Sequence, residues 1–158
     1  MGLFVSFIPT SPEEIDNFFE LAPVSTTDVV YDLGSGDGRL LFAALEKGAG
    51  KAVGIDLNPA RVQEARELAN KKGIAARVSF VCADIMDMDL SEATLVLCYL
   101  YSTASTALKP KFEIELKSGT RVVMESFPIH GWKPIRIKKL EHRTFYLYCM
   151  PPELSAKY

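Results

Sequence analysis

Apolar positions in this chain gather into short continuous runs separated by stretches with helical spacing. Residues 29–33 (Val-Val-Tyr-Asp-Leu), 52–55, 78–82, 94–99 and 121–126 are runs of strand length, closed by Gly, Pro or charged residues. Between them the period changes. Ser11-Pro12-Glu13-Glu14 forms a capping box with proline at the first helical position, and Ile15, Phe18, Phe19 and Ala22 follow on one face. Helices are predicted over 38–47, from Asn58-Pro59 (cap and first residue, with Val62, Ala65 and Ala69 on one face) to Lys71-Lys72-Gly73, and over 104–117. This βα rhythm with fully apolar strands indicates a parallel sheet covered on both faces. The chain end differs, because Ile135–Leu140 and Phe145–Cys149 are separated only by Glu141-His142-Arg143-Thr144, too few residues for a parallel crossover. A hairpin with one antiparallel strand is expected at the sheet edge.

The first strand carries the chemistry. It stops at Asp32 and Leu33 and turns through Gly34, Ser35, Gly36, Asp37 and Gly38 into a helix beginning Arg39-Leu40-Leu41. Glycines there permit positive φ and close approach of a ligand to exposed backbone N–H groups, as in a nucleotide-type site. The third glycine of the dinucleotide fingerprint falls on Arg39, so the NAD spacing fails. What remains is G-x-G-x-G preceded by Asp32, with Asp56 ending the next apolar run, where a carboxylate can accept from two ribose hydroxyls. An acid ahead of the glycines suits a ligand with an ammonium group and no phosphate, and S-adenosylmethionine is such a ligand.

Composition narrows the rest. The 158 residues, 48% hydrophobic, suffice for one core and one domain spanning 1–158. A formal charge of −2 offers no global attraction to nucleic acid or anionic membrane, no run approaches a spanning helix of about twenty apolar residues, and Met1-Gly2-Leu3-Phe4 lacks the basic region of a signal peptide. The chain reads as cytoplasmic. Cys82, Cys98 and Cys149 lie in apolar runs without CxxC spacing and read as buried small residues; His130 and His142 read as solvated turn residues; no metal is expected. Phe7-Ile8-Pro9-Thr10 is extended by its proline and enters the first helix, so the segment 1–27 is expected to act as a partial lid, with Thr10 a candidate cofactor contact.

The stretch from Val30 to Arg39, with Asp56, Val81-Cys82-Ala83-Asp84 and the closing hairpin, resembles the seven-β-strand, class I S-adenosylmethionine-dependent methyltransferases. The resemblance implies a Rossmann-like, doubly wound, mostly parallel seven-stranded sheet, with ligands beyond the carboxyl ends of the strands. It places the methionine half against Asp32, Gly34, Ser35, Gly36, Asp37 and Gly38, the ribose and adenine against Asp56, Leu57 and Asn58, and the adenine edge against Ala83, Asp84 and Ile85. Cys98, Tyr99, Leu100 and Tyr101 would face the transferable methyl, with Tyr99 and Tyr101 as candidate catalytic residues. Each has a plainer reading: Asp56 and Asp84 as helix caps, Asp32 as a strand end, the tyrosines as core aromatics.

Pro9-Thr10-Ser11-Pro12, Ser91-Glu92-Ala93-Thr94, Leu108-Lys109-Pro110-Lys111, Gly119-Thr120-Arg121-Val122-Val123 and Gly131-Trp132 are similar to a narrower group. These are the small archaeal protein-lysine methyltransferases and their mitochondrial relatives. That resemblance implies methyl transfer to lysine ε-amines of proteins, leaving S-adenosylhomocysteine; separately, a monomer with no stable nucleic-acid or membrane partner is expected. Tyr99-Leu100-Tyr101 departs from the Phe-Leu-Leu expected there. Two alternatives stand beside it: an RNA methyltransferase using Lys133, Arg136, Lys138, Lys139 and Arg143, charges that an edge strand also carries, and a cofactor-binding module without catalysis. Trp132, beside Gly131 and Pro134, is expected to anchor the loop after the fifth strand.

Overall fold

The structure is a computed structural model describing residues 11–100, 102–141 and 143–157. The elements run α1 (Pro12–Leu21), β1 (Val29–Leu33), α2 (Arg39–Glu46), β2 (Lys51–Asp56), α3 (Pro59–Lys71), β3 (Val78–Cys82), a 3₁₀ turn (Ile85–Asp87), β4 (Leu95–Cys98), α4 (Ser102–Glu115), β5 (Arg121–Glu125), β6 (Trp132–Lys133), β7 (Arg136–Lys139), β8 (Thr144–Cys149) and β9 (Glu153–Leu154). The caps are those the residues predict. Ser11 Oγ accepts from Glu14 N at 3.2 Å at the start of α1, and Asn58 Oδ1 accepts from Ala60 N at 3.0 Å at the start of α3.

Seven strands form one sheet in the order β3-β2-β1-β4-β5-β8-β7. Pairing is parallel from β3 to β5 and antiparallel for β5–β8 and β8–β7, as the short hairpin loop requires. The chain winds outward from β1 through β2 to β3, then returns to β4 on the other side of β1, so the order reverses between β1 and β4. Loops at the carboxyl ends of these two strands therefore diverge and leave a crevice. A separate ribbon, β6 with β9, was not legible in the sequence. It carries Trp132, which is fully buried and meets Tyr148 edge-on with ring centroids 5.7 Å apart.

Strand alternation sorts the core into two layers. Phe18, Phe19, Leu41, Phe42, Val62, Phe80, Leu97, Tyr99, Val123 and Phe145 fill the layer under α1, α2 and α3. Leu33, Ile55, Cys98, Met124, Trp132 and Tyr148 lie on the other face with Ala104, Leu108 and Phe112, which recur along α4 at steps of four. Pro110 interrupts that helix on its exposed side, where the carbonyl left without an amide partner meets water.

The amino ends of the strands are closed off. Asp28 accepts from Ser25 N at 2.8 Å, Thr94 Oγ1 at 2.6 Å and Arg121 at 3.2 Å; burial opposes its ionisation, yet these bonds and the Arg121 charge hold its carboxyl below the usual range. The open chemistry is left at the carboxyl ends.

One expectation needs correction. Cys82 is exposed, because β3 is an edge strand and its last residue stands beyond the covering helix, and Cys149 is only half-buried; Cys98 alone is the buried small residue predicted. The closing hairpin lies at the sheet edge as expected: Ile135, just ahead of β7, and Ile137 on it are 56% and 41% exposed, and Lys138 meets Glu20 of α1 at 3.2 Å. This edge strand has one neighbour, and its apolar side is left open.

Candidate active site

At the end of β1 the backbone reverses by hydrogen-bonding across to β2. Gly34 N and Ser35 N both donate to Ile55 O, at 2.7 and 3.0 Å, and Gly38 N donates to Ser35 O at 3.0 Å. Gly34, Gly36 and Gly38 have φ of 94°, 56° and 84°, the left-handed region that side chains resist. Space is also tight: a Cβ on Gly54 would lie 2.6 Å from Ser35 Oγ and 2.7 Å from the Phe80 ring. The loop is thereby seated on β2.

Asp56 closes the cradle from the other side. Its Oδ2 accepts from Gly36 N at 2.9 Å and its Oδ1 from Asn58 N at 2.8 Å, so one carboxylate ties the glycine loop to the start of α3. Each oxygen retains a second acceptor site. Beside it Leu57 is 47% exposed and Met86 41%, an apolar shelf of the kind a flat ring packs on. Asp84 Oδ1 accepts from Met86 N at 2.9 Å, capping the 3₁₀ turn that buries Ile85, and Ala83 N donates to Asp56 O at 3.1 Å. Asp37 accepts from the backbone and guanidinium of Arg39 and so faces its own helix start.

Asp32 is the unusual group. It is 3% exposed, and its Oδ1 has no hydrogen-bond partner among the described residues. Burial first, then the carboxylates of Asp56 and Asp37, push its pKa up to about 7. An orphaned carboxylate at the end of a strand is a costly arrangement that a bound cation relieves. The ammonium of S-adenosylmethionine fits that requirement, and the Asp56–Leu57 corner fits a ribose joined to a flat apolar ring.

The other expected residues divide. Of these, Gly36 and Asn58 are joined through Asp56, Ala83 is bonded to Asp56, and Asp32 enters the same loop, with Leu57, Asp84 and Ile85 next to them in the chain, whereas Asp37 turns to Arg39. Cys98 does not join them: its side chain is 1% exposed in the α4 layer, and burial followed by the Asp32 charge pushes its thiol pKa well up. Tyr99 lies just past β4 on the Asp32 face, 7% exposed and packed against Phe18 and Phe145 at 6.3 and 6.1 Å. It is a core aromatic whose hydroxyl is buried without a partner among the described residues. Burial and the Asp32 carboxylate drive that phenol far above its ordinary pKa, so it stays protonated. Thr10, Tyr101 and the Phe7–Thr10 segment lie outside the described residues.

Three residues at this end were missed as site residues, Glu14, Glu125 and Ser126, and a fourth, Arg143, was expected only as part of a basic strip. Glu125 is 8% exposed and ends an apolar strand with an acid, as Asp32 and Asp56 do, a signal the sequence contained. Arg143 and Glu14 meet at 3.2 Å from distant parts of the chain.

Among described residues no group of His, Cys, Asp or Glu is arranged to hold a metal ion, and no helix is long and apolar enough to cross a membrane. Comparison with known proteins agrees with the geometry. The chain is 42% identical over 149 residues to a protein-lysine N-methyltransferase of Saccharolobus islandicus, covering 91% of this chain and 92% of that one. It is 33% identical to the mouse adenine nucleotide translocase lysine N-methyltransferase, over 87% of this chain but 59% of that protein. A crystal structure described as an RNA methyltransferase from Salinibacter ruber, in complex with S-adenosyl-L-homocysteine, superposes with a TM-score of 0.87 at 39% identity, covering 94% of this chain and 97% of that one. With residues 32–136 matching its family model, from the orphaned Asp32 through both the glycine loop and Glu125, the chain belongs to the ANTKMT methyltransferase domain family.

Proposed function

We propose that this protein transfers the methyl group of S-adenosylmethionine to lysine ε-amines of proteins. The observation that carries the cofactor assignment is Asp32, buried where the glycine loop opens, with its Oδ1 lacking a hydrogen-bond partner among the described residues. The acceptor assignment is supported by the protein-lysine methyltransferases from Saccharolobus and mouse.

When bound, the cofactor supplies a methyl on a positively charged sulfur, and the nitrogen–carbon bond forms as the sulfur–carbon bond breaks. Asp32 would hold the ammonium of the cofactor, Asp56 its ribose, and the Gly34–Gly38 amides its methionine carboxylate. The lysine must arrive neutral. At neutral pH, losing its proton costs about 4.6 kcal/mol from a free pKa near 10.4. A dry passage beside the Tyr99 ring disfavours the ammonium and returns part of this cost, and alignment supplies the rest. Tyr99 stays a neutral phenol and is no base.

A second reading, RNA as acceptor, is favoured by the description of the Salinibacter structure. Against it, three cations of the basic strip face partners within the fold: Lys133–Glu153, Lys138–Glu20 and Arg143–Glu14, each at 3.2 Å. On this reading the protein works in the cytoplasm as a metal-free monomer of one domain. The test is incubation with methyl-labelled S-adenosylmethionine and either extract protein or RNA, with and without EDTA, followed by mapping of the labelled residue. Label on lysine, unaffected by chelation and rising with pH, is expected; ribonuclease-sensitive label would transfer the assignment to RNA.

A further inference from the structure

Across the carboxyl ends of the central strands, on the face covered by α1, the register sets a row of polar groups. Asp32 of β1 pairs with Leu97 of β4, two residues before Tyr99. Cys98 pairs with Met124, so one step further brings Tyr99 level with Glu125 of β5. Glu125 in turn pairs with Phe145 of β8. Alternation puts Asp32, Tyr99 and Glu125 on the same face as Val30, Leu97 and Val123. Glu14 from α1 and Arg143 ahead of β8 stand over this row, and both, with Asp32 and Glu125, act electrostatically on the Tyr99 hydroxyl.

The charges in the row do not balance. Glu14 and Arg143 neutralise each other at 3.2 Å, which leaves the carboxylates of Asp32 and Glu125 and the partnerless Tyr99 hydroxyl, all less than 9% exposed. Asp32 is matched by the ammonium of the cofactor's methionine half. Among the described residues no cation pairs with Glu125; its hydrogen bond comes from the Ser126 hydroxyl. The backbone that places it is strained. Ser126 has φ of 64°, and Phe127 N donates to Glu125 O at 2.8 Å across it, a γ-turn of the uncommon positive-φ form, while Ser126 N donates to Thr144 O at 2.7 Å. Such strain in a non-glycine residue persists where the surroundings hold it, and it aims the Ser126 hydroxyl at the carboxylate.

We propose that Glu125, oriented by Ser126, recognises the ammonium of the incoming lysine, with the Tyr99 hydroxyl alongside, one strand over from the cofactor's own ammonium site. The inference rests on the lysine-methyltransferase reading. Glu125 captures and positions the lysine as its ammonium, a contact that favours the charged form; loss of the proton to solvent, which must precede attack by the nitrogen, is therefore favoured only by the aromatic wall of Tyr99 and by alignment, and the product is the methylated ammonium.

The experiment uses the full chain and the acceptor protein labelled in the assay above, with steady-state rates for wild type and Glu125→Gln from pH 7.5 to 10. S-adenosylhomocysteine affinity and melting temperature are measured alongside. At pH 7.5 the acceptor KM of Glu125→Gln should rise at least tenfold with a smaller change in kcat, while S-adenosylhomocysteine affinity stays within about twofold. The gap should narrow toward pH 10, because a neutral amine no longer seeks a carboxylate; a merely structural defect would persist at every pH. An unchanged KM, an equal deficit across the pH range, or lost S-adenosylhomocysteine affinity overturns the proposal. Should Glu125→Gln melt early, Ser126→Ala replaces it, with a KM rise of a few-fold expected and an unchanged KM overturning the inference. Label absent from lysine in wild type sinks the lysine reading itself, whereas labelled lysine with an indifferent Glu125→Gln sinks only this one.

Discussion

Replacing Asp32 by Asn separates what this residue does for the fold from what it does for the ligand. In the folded protein its pKa stands at about 7, against 3.8 for an ordinary aspartate. A raised carboxyl pKa stabilises the fold fully below the unfolded value, and that contribution is lost as pH rises through the folded value. A shift of about three units corresponds to about 4 kcal/mol, so ionising Asp32 near pH 8 costs the unliganded protein up to that amount. An asparagine never ionises. It is still buried with unmet hydrogen bonds costing about 1 to 3 kcal/mol, so a net gain of about 1 to 3 kcal/mol at pH 8 is expected, fading toward pH 5. At 158 residues this is several degrees of melting temperature, at roughly 2 to 4 °C per kcal/mol. Ligand binding responds in the opposite sense. The ammonium needs the ionised carboxylate, so S-adenosylhomocysteine affinity in wild type should fall about tenfold per pH unit below about 7 while binding releases a proton. In Asp32→Asn the affinity should be weaker and flat with pH. Denaturant titrations from pH 5 to 8.5, and calorimetry in two buffers of different ionisation enthalpy, measure both. Wild-type affinity that does not vary between pH 5.5 and 8, or a variant no more stable than wild type at pH 8, would refute the reasoning.

Asp56→Ala should weaken S-adenosylhomocysteine binding by about 1 to 3 kcal/mol and also lower stability, because the Gly36 and Asn58 amides lose their shared acceptor; calorimetry and melting measure the two, and unchanged affinity removes Asp56 from the site. Tyr99→Phe removes a buried hydroxyl without a partner among the described residues, so melting should hold or rise by about 1 kcal/mol while lysine methylation slows and cofactor affinity stays; Tyr99→Ala would confuse the issue by emptying the Phe18–Phe145 cluster. Trp132→Ala should cost about 3 to 5 kcal/mol, as its ring is wholly buried against Tyr148, and wild-type melting of that variant would contradict the packing.

Much of this protein is written in local order. Continuous apolar runs, the Ser11 and Asn58 caps and the short 141–144 loop determine strands, helices and hairpin from neighbours a few residues apart. The cofactor loop is legible for the same reason: Asp32 and the three glycines are contiguous, and Asp56 follows one βα unit later. The acceptor side is not. Tyr99 and Tyr101 share a face only on a regular strand, and β4 ends at Cys98. Glu14, Tyr99, Glu125 and Arg143 converge because β4 returns beside β1, β8 inserts antiparallel next to β5, and α1 lies across them. Nor can a window of sequence tell that the last residue of β3 stands beyond its covering helix, which is why Cys82 was misplaced. Burial, register and the pairing of charges are sums over residues far apart in the chain. Whether a carboxylate ends up neutralised, like Glu14, or orphaned, like Asp32, is therefore decided only when the strand order brings its neighbours to it.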